Sequence, residues 1–117
     1  MKPSSAKNKG RVFQQWVRNV LLKAAKSLEP DDIRSTSMGA PGEDIQLSPA
    51  ARKVYPYSIE CKNVEKLNIW EAIRQAKENC GGHIPVVCFK RNRHEPWIAM
   101  PMNKYMGIVH GYEDEDF

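Results

Sequence analysis

Glu60-Cys61-Lys62 places a carboxylate and an ammonium two residues apart, and Asp44 lies sixteen positions upstream. On a β-strand, period-two alternation points Glu60 and Lys62 to one side and Cys61 to the other. Asp44 falls in a segment, Glu43-Asp44-Ile45-Gln46-Leu47, that alternates polar and apolar as a half-buried strand does. If the apolar faces of the two strands coincide, Asp44, Glu60 and Lys62 share a surface. Two hard oxygen donors on rigid strands suit Mg²⁺, which retains waters and completes its shell with substrate phosphate. Such an ion polarises a phosphoryl oxygen and acidifies a water, and a neighbouring Lys62 offsets charge developing at phosphorus. The chemistry implied is phosphodiester hydrolysis. Taken alone, an E-x-K triplet is more often a surface ion pair on a sheet.

The elements that must position these residues are legible from periodicity. Residues 1–8 are polar and basic, with Pro3, Ser4 and Ser5, and read as a loose basic arm. From Lys9, the positions of Val12, Phe13, Trp16, Val17, Val20, Leu21 and Ala24 predict an amphipathic helix that ends before Pro30. Glu29-Pro30-Asp31-Asp32 is a turn, and Ile33 to Ser37 is a short strand candidate broken by Gly39-Ala40-Pro41-Gly42. After the strand over 43–47, Ser48 to Lys53 reads as a connection. Tyr55 to Lys62 alternates again, and the strands over 43–47 and 55–62 are expected to be antiparallel neighbours.

Residues 68–80 return to helical spacing, with Asn68 as N-cap and Gly81-Gly82 as the stop. The apolar run Ile84 to Phe89 predicts a strand buried on both faces, and Trp97 to Met100 a last strand. Residues 102–109 form a short helix in this reading, and 111–117 an acidic tail. The order α-β-β-β-α-β-β gives a single-domain α/β fold with a mixed sheet flanked by helices, its main body spanning 9–110.

Composition narrows the function. A chain of 117 residues suits one domain. The formal charge is +4, yet Glu113, Asp114, Glu115 and Asp116 gather four acids at the end, so residues 1–112 carry 18 bases against 10 acids. A basic body of this kind meets phosphate backbones, acidic proteins or membrane surfaces. Phosphate contacts are expected from Lys90, Arg91 and Arg93, and then from Lys7, Lys9 and Arg11. Three cysteines without paired spacing argue against a disulfide framework and fit a reducing, intracellular setting. Cys80-Gly-Gly-His83 is half of a zinc pattern with no second half. No apolar run is long enough to span a bilayer.

In order along the chain, Lys9-Gly10-Arg11-Val12-Phe13-Gln14, Arg34-Ser35-Thr36-Ser37, Gly42-Glu43-Asp44-Ile45, Ser58-Ile59-Glu60-Cys61-Lys62-Asn63 and Ile84 to Lys90 resemble segments of the PD-(D/E)XK nuclease superfamily. Within it, the chain is most similar to the small archaeal and phage Holliday junction resolvase-like enzymes, over residues 9–101. The resemblance implies a restriction-endonuclease-like core, Asp44, Glu60 and Lys62 as catalytic residues, Asp44 and Glu60 as ligands of Mg²⁺ (with Mn²⁺ able to substitute), branched DNA as substrate and a homodimer. It also implies that Arg34 and Ser37 lie near the DNA and that Gln75 reaches into the site from the second long helix. One position departs from the pattern. Resolvases of this kind place a Glu four residues after the helix-1 glycine, where this chain has Gln14, a weaker, neutral ligand that could hold a metal-bound water instead. Two other readings stay open: a phage-type nicking or structure-nonspecific DNA nuclease, and a non-catalytic DNA-binding module with a degenerate site.

Overall fold

A computed structural model describes residues 3–112, and the acidic stretch 113–117 lies outside them. The chain runs α1 (Pro3–Ala24), a 3-10 turn (Pro30–Asp32), β1 (Ile33–Ser35), β2 (Ile45–Leu47), α2 (Pro49–Val54), β3 (Tyr57–Asn63), α3 (Ile69–Asn79), β4 (Ile84–Lys90), β5 (Trp97–Ala99) and α4 (Met102–His110). It is a single-domain α/β fold.

β3 and β4 pair in parallel over seven positions, Tyr57 opposite Ile84 through Asn63 opposite Lys90. β5 adds to β4 in the antiparallel sense, with Phe89 opposite Trp97 and Val87 opposite Ala99. The sheet order is therefore β3-β4-β5, a mixed sheet, as the element order predicts. The parallel pair requires a crossover, which α3 supplies. Asn68 caps α3, its side-chain oxygen accepting from the Glu71 N–H at 3.1 Å. Gly81 (φ 52°) and Gly82 (φ 89°) then reverse the chain in the left-handed region where a side chain would be strained.

The sheet is covered on both faces, which explains why β4 reads as a continuous apolar run. On one face Ile59, Val86 and Cys88 pack with Phe13 and Val17 of α1, and Ile33 and Ile45 close the same cluster. Ile33 and Ile45 are fully buried, each worth roughly 1.5–3 kcal/mol of apolar transfer. On the other face Val87 packs with Ala72 and Ala76 of α3, and small side chains there let the helix approach closely.

Four expectations change. Helix α1 starts at Pro3, so the segment read as a loose arm over 1–8 is helical from its third residue. The segment read as a connection over 48–53 contains α2: Ser48 Oγ accepts from the Ala51 N–H at 3.1 Å, and Pro49 occupies the first turn, where its missing N–H costs nothing. The strands over 43–47 and 55–62 are not antiparallel neighbours. β2 pairs instead with β1, Ser35 opposite Ile45 through Ile33 opposite Leu47, in a separate two-stranded ladder. The intervening α2 makes the connection a helix, so the two segments do not meet as a hairpin. Trp16, expected in the core, is 48% exposed and stacks on Phe13 at 6.1 Å.

Candidate active site

Asp44 lies one residue before β2, and its backbone and side chain tie three elements together. Its N–H donates to Ile59 O of β3 at 3.0 Å, and its carbonyl accepts from Thr36 N–H at 2.8 Å beside β1. The carbonyl is thus turned towards β1, and the carboxylate takes its place against β3: Oδ2 accepts from the Cys61 N–H at 2.7 Å. A parallel bridge would donate to residue 59 and accept from residue 61. Asp44 makes that bridge with its side chain standing in for its own carbonyl. The antiparallel pairing expected from sequence is replaced by this parallel-type link, and it still brings Asp44 beside Glu60.

Glu60 is 4% exposed in the middle of β3. Its neighbour across the face is Asn79, whose Nδ2 donates to Glu60 Oε1 at 2.8 Å from the last turn of α3. Ser58 Oγ donates to Asn79 O at 3.3 Å and braces the same contact. Burial raises the Glu60 carboxyl to about 6, against the opposing effect of Asn79, and the Asp44 carboxyl pushes it the same way. Asp44 is also raised, chiefly by burial, although Cys61 N–H, the Glu60 carboxyl and Lys62 oppose the shift. Asp44 and Glu60 thus lie close enough that each carboxyl perturbs the other.

This donor set fits a hard divalent cation. Each carboxylate has one oxygen held by the scaffold, Asp44 Oδ2 by the Cys61 N–H and Glu60 Oε1 by Asn79 Nδ2. A cation held by the two would offset the desolvation that raises both groups. Among the described residues no group of three or more His, Cys, Asp or Glu comes together, so the acidic set is a pair.

Lys62 follows on the same face as Glu60 and is half-buried. It lines a recess of about 190 Å³ with Leu67, Asn68, Glu71, Ala72 and Gln75. Gln75, a candidate from sequence, therefore lines the same recess as Lys62 and Glu71. Arg74 first, and then Gln75 and Lys62, hold Glu71 below its ordinary carboxylate range.

Gln14 is buried to 3% exposure on α1, in the seam where its spacing from Val17 and Leu21 puts it. Its Nε2 lies 2.6 Å from Thr36 O, 2.9 Å from Asp44 O and 2.7 Å from Ser35 Oγ. Two of these partners are carbonyls and can only accept, so the amide nitrogen must face them. Gln14 clamps the Asp44 backbone to α1, a task a carboxylate could not perform. Ser35, in the segment singled out beside the turn, takes part in this clamp through its hydroxyl. Sequence reasoning missed Asn79 and Thr36; no spacing rule points to either, although Asn79 ends the helix that follows E-x-K.

The basic candidates divide. Lys9 on α1 pairs with Glu65 at 3.7 Å, and Glu65 Oε1 also accepts from the Asn92 N–H at 3.1 Å. One carboxylate thus brings the start of α1 and the loop holding Lys90, Arg91 and Arg93 to the same end of the sheet, just past Lys62. Lys7 and Arg11 are exposed on α1, and Arg11 donates to Asn8 Oδ1 at 2.7 Å. Arg34 is exposed and pairs with Asp31 at 3.4 Å, and Ser37 is exposed in the following loop. Glu43 faces away from Asp44, as alternation predicts, in an ion pair with Arg52. His83 is on the surface after Gly82, and Cys61 and Cys88 are free thiols opposite one another on β3 and β4. No helix among the described residues is long and apolar enough to cross a membrane.

In comparisons with protein-family models, curated proteins and solved structures, nothing matches this chain.

Proposed function

We propose that this chain is a Mg²⁺-dependent endonuclease of the PD-(D/E)XK type that hydrolyses phosphodiester bonds in DNA, with branched DNA as its substrate class. The observation that carries the reading is the Asp44–Glu60 pair, half-buried at Asp44 and buried at Glu60 and scaffolded on one oxygen each, with Lys62 next along the same face. A structural ion pair has no need to bring two carboxyls together at the cost of raising both.

In this reading Asp44 and Glu60 would hold Mg²⁺ (or Mn²⁺). The ion supplies Lewis-acid polarisation of the scissile phosphate. Lys62 presents its ammonium to the same phosphate and offsets charge that builds up as the bond to the leaving oxygen breaks. Gln75 and Glu71 border Lys62 and steady its side chain. Gln14 is a positioning residue that fixes the Asp44 backbone. Lys9, Lys90, Arg91 and Arg93 contact phosphates on either side, which sets register without reading sequence. Symmetric cutting of two strands calls for two subunits related by a two-fold axis, so the working form is a homodimer.

The test is cleavage of a four-way junction in Mg²⁺, beside nicked, flap and linear duplex DNA, with Asp44→Asn as control. Cleavage of the junction that is lost in the variant supports the reading. Equal rates on linear duplex would turn it into a structure-nonspecific or nicking nuclease. A second reading, a DNA-binding module without catalysis, is favoured by the absence of a third acidic or histidine ligand among the described residues. It expects Glu60→Ala and Lys62→Ala to leave function unchanged.

A further inference from the structure

The register places Lys62, Phe89 and Trp97 in one row across β3, β4 and β5, on the α3 face of the sheet. Two interstrand spacings separate the ends of that row, roughly 10 Å. Trp97 is a large aromatic that is 61% exposed on the outermost strand. Beside it opens a recess of about 330 Å³, floored by Leu67 and Phe89 and rimmed by Lys90, Arg91 and His94. Val64 and Leu67 form the wall between this recess and the one that holds Lys62.

The loop that builds the rim is held under strain. Arg93 has φ 64°, the only non-glycine with a positive φ among the described residues. Such a conformation is uncommon for a residue with a side chain and persists where the surroundings impose it. A hydrogen bond from His94 N–H to Arg91 O closes the turn at 3.2 Å. Glu65 and Glu95 also border the recess, and Glu65 is engaged by Lys9 and by the Asn92 N–H, which leaves the rim cationic.

We propose that this recess is a subsite for an unpaired nucleotide, with Trp97 as the stacking platform for its base and Lys90, Arg91 and His94 as contacts for its phosphate. An exposed aromatic beside a cationic rim is the chemistry of single-strand recognition, in which bases stack and backbone charge is neutralised. A duplex keeps its bases stacked on each other and offers none to Trp97. The subsite rests on the nuclease reading for its purpose: a strand entering it from an open branch point would continue over Val64 and Leu67 to Lys62, a few nucleotides away.

The experiment measures binding of fluorescein-labelled oligothymidylate and of a short duplex by anisotropy, in EDTA, for the full chain and for Trp97→Ala and Trp97→Phe. Stacking on one base predicts a roughly tenfold or greater loss of oligothymidylate affinity in Trp97→Ala, recovery in Trp97→Phe, and a change under about twofold on duplex. Equal losses on both probes, or no loss on either, overturns the proposal. So does a Trp97→Ala change in sedimentation with unchanged binding, which would assign the tryptophan to contact with a second copy. Binding in EDTA is read without cleavage, so failure of the hydrolytic reading and failure of the subsite give different results.

Discussion

The two edges of the β3-β4-β5 sheet are built to opposite rules. At the β3 edge, Ser58, Ile59 and Glu60 are all buried in sequence, and the polar members find partners in Asn79 and Asp44. At the β5 edge, Trp97 and Ile98 are more than half exposed, and α4 beyond them buries no residue at all. The first edge fixes carboxyl positions by packing from α1 and α3 together. The second presents side chains outward on a short strand. On the nuclease reading proposed above, the buried edge would hold the carboxyls in place and the exposed edge would meet the substrate.

The largest effect should come from the stiff edge. Asp44→Asn keeps the shape and an oxygen for Cys61 N–H but removes the charge opposite Glu60. Junction cleavage in Mg²⁺ should fall at least about a hundredfold, the usual cost of losing a charge-stabilising group. Circular dichroism and thermal midpoint should remain close to the parent. Full activity in this variant would end the assignment of the acidic pair.

Next is the clamp. Gln14→Ala leaves Thr36 O and Asp44 O without their donor from α1 and opens a small cavity. A loss of about 2–4 kcal/mol is expected, read by denaturant unfolding. Gln14→Glu is more informative. The superfamily resemblance would have it add a metal ligand, so Mg²⁺ should bind more tightly. The geometry instead sets a carboxylate against two carbonyl oxygens, so the variant should be destabilised and gain nothing from Mg²⁺. Tighter Mg²⁺ binding would show that α1 can turn residue 14 towards the acidic pair.

Gln14 also marks how far the sequence could be read. Its seam position follows from spacing to Val17 and Leu21. Its partners do not, because they belong to a loop and strand more than twenty residues away that only the fold brings near. E-x-K on a strand, the α3 cap at Asn68 and the doubly covered β4 were legible because they depend on local periodicity. The pairing of Asp44 was not. Two segments separated by a short connection suggest a hairpin, but Ser48-Pro49 starts a helix, and a carboxylate replacing a carbonyl in a bridge leaves no pattern in sequence. Trp16 and Val12 show the converse error: α1 carries more apolar residues than its buried stripe uses, so periodicity alone over-assigned the core.

A smaller effect is expected from Glu60→Gln. Burial raises Glu60 from 4.5 to about 6, so the folded state prefers the proton. The associated stability is present below about pH 4.5, is lost as pH rises through about 6, and stays lost above. Glutamine keeps the acceptor for Asn79 without the charge. The variant should therefore be more stable than the parent by about 2 kcal/mol at pH 8 and by little at pH 4. Mg²⁺ should raise the thermal midpoint of the parent and leave that of the variant unchanged. A stability difference that is the same at both pH values would mean Glu60 is not the group that titrates.

The smallest global effect belongs to the loose edge, and α4 offers the sharpest test of it. Nine residues are too few for a helix to persist in water by propensity alone. What ends α4 is Gly111 at φ 63°, whose N–H reaches Gly107 O at 3.0 Å while Tyr112 N–H reaches Met106 O at 3.2 Å, a paired C-terminal cap that needs a left-handed residue. Gly111→Ala strains that cap by about 1 kcal/mol. If α4 is coupled only weakly to the core, the cost is local: amide exchange in 105–112 should accelerate about fivefold, while exchange in β4 and the thermal midpoint stay as in the parent. A midpoint that drops by several degrees would instead place α4 inside the cooperative unit with β3 and β4, and the contrast between the two edges would be one of exposure without a difference in rigidity.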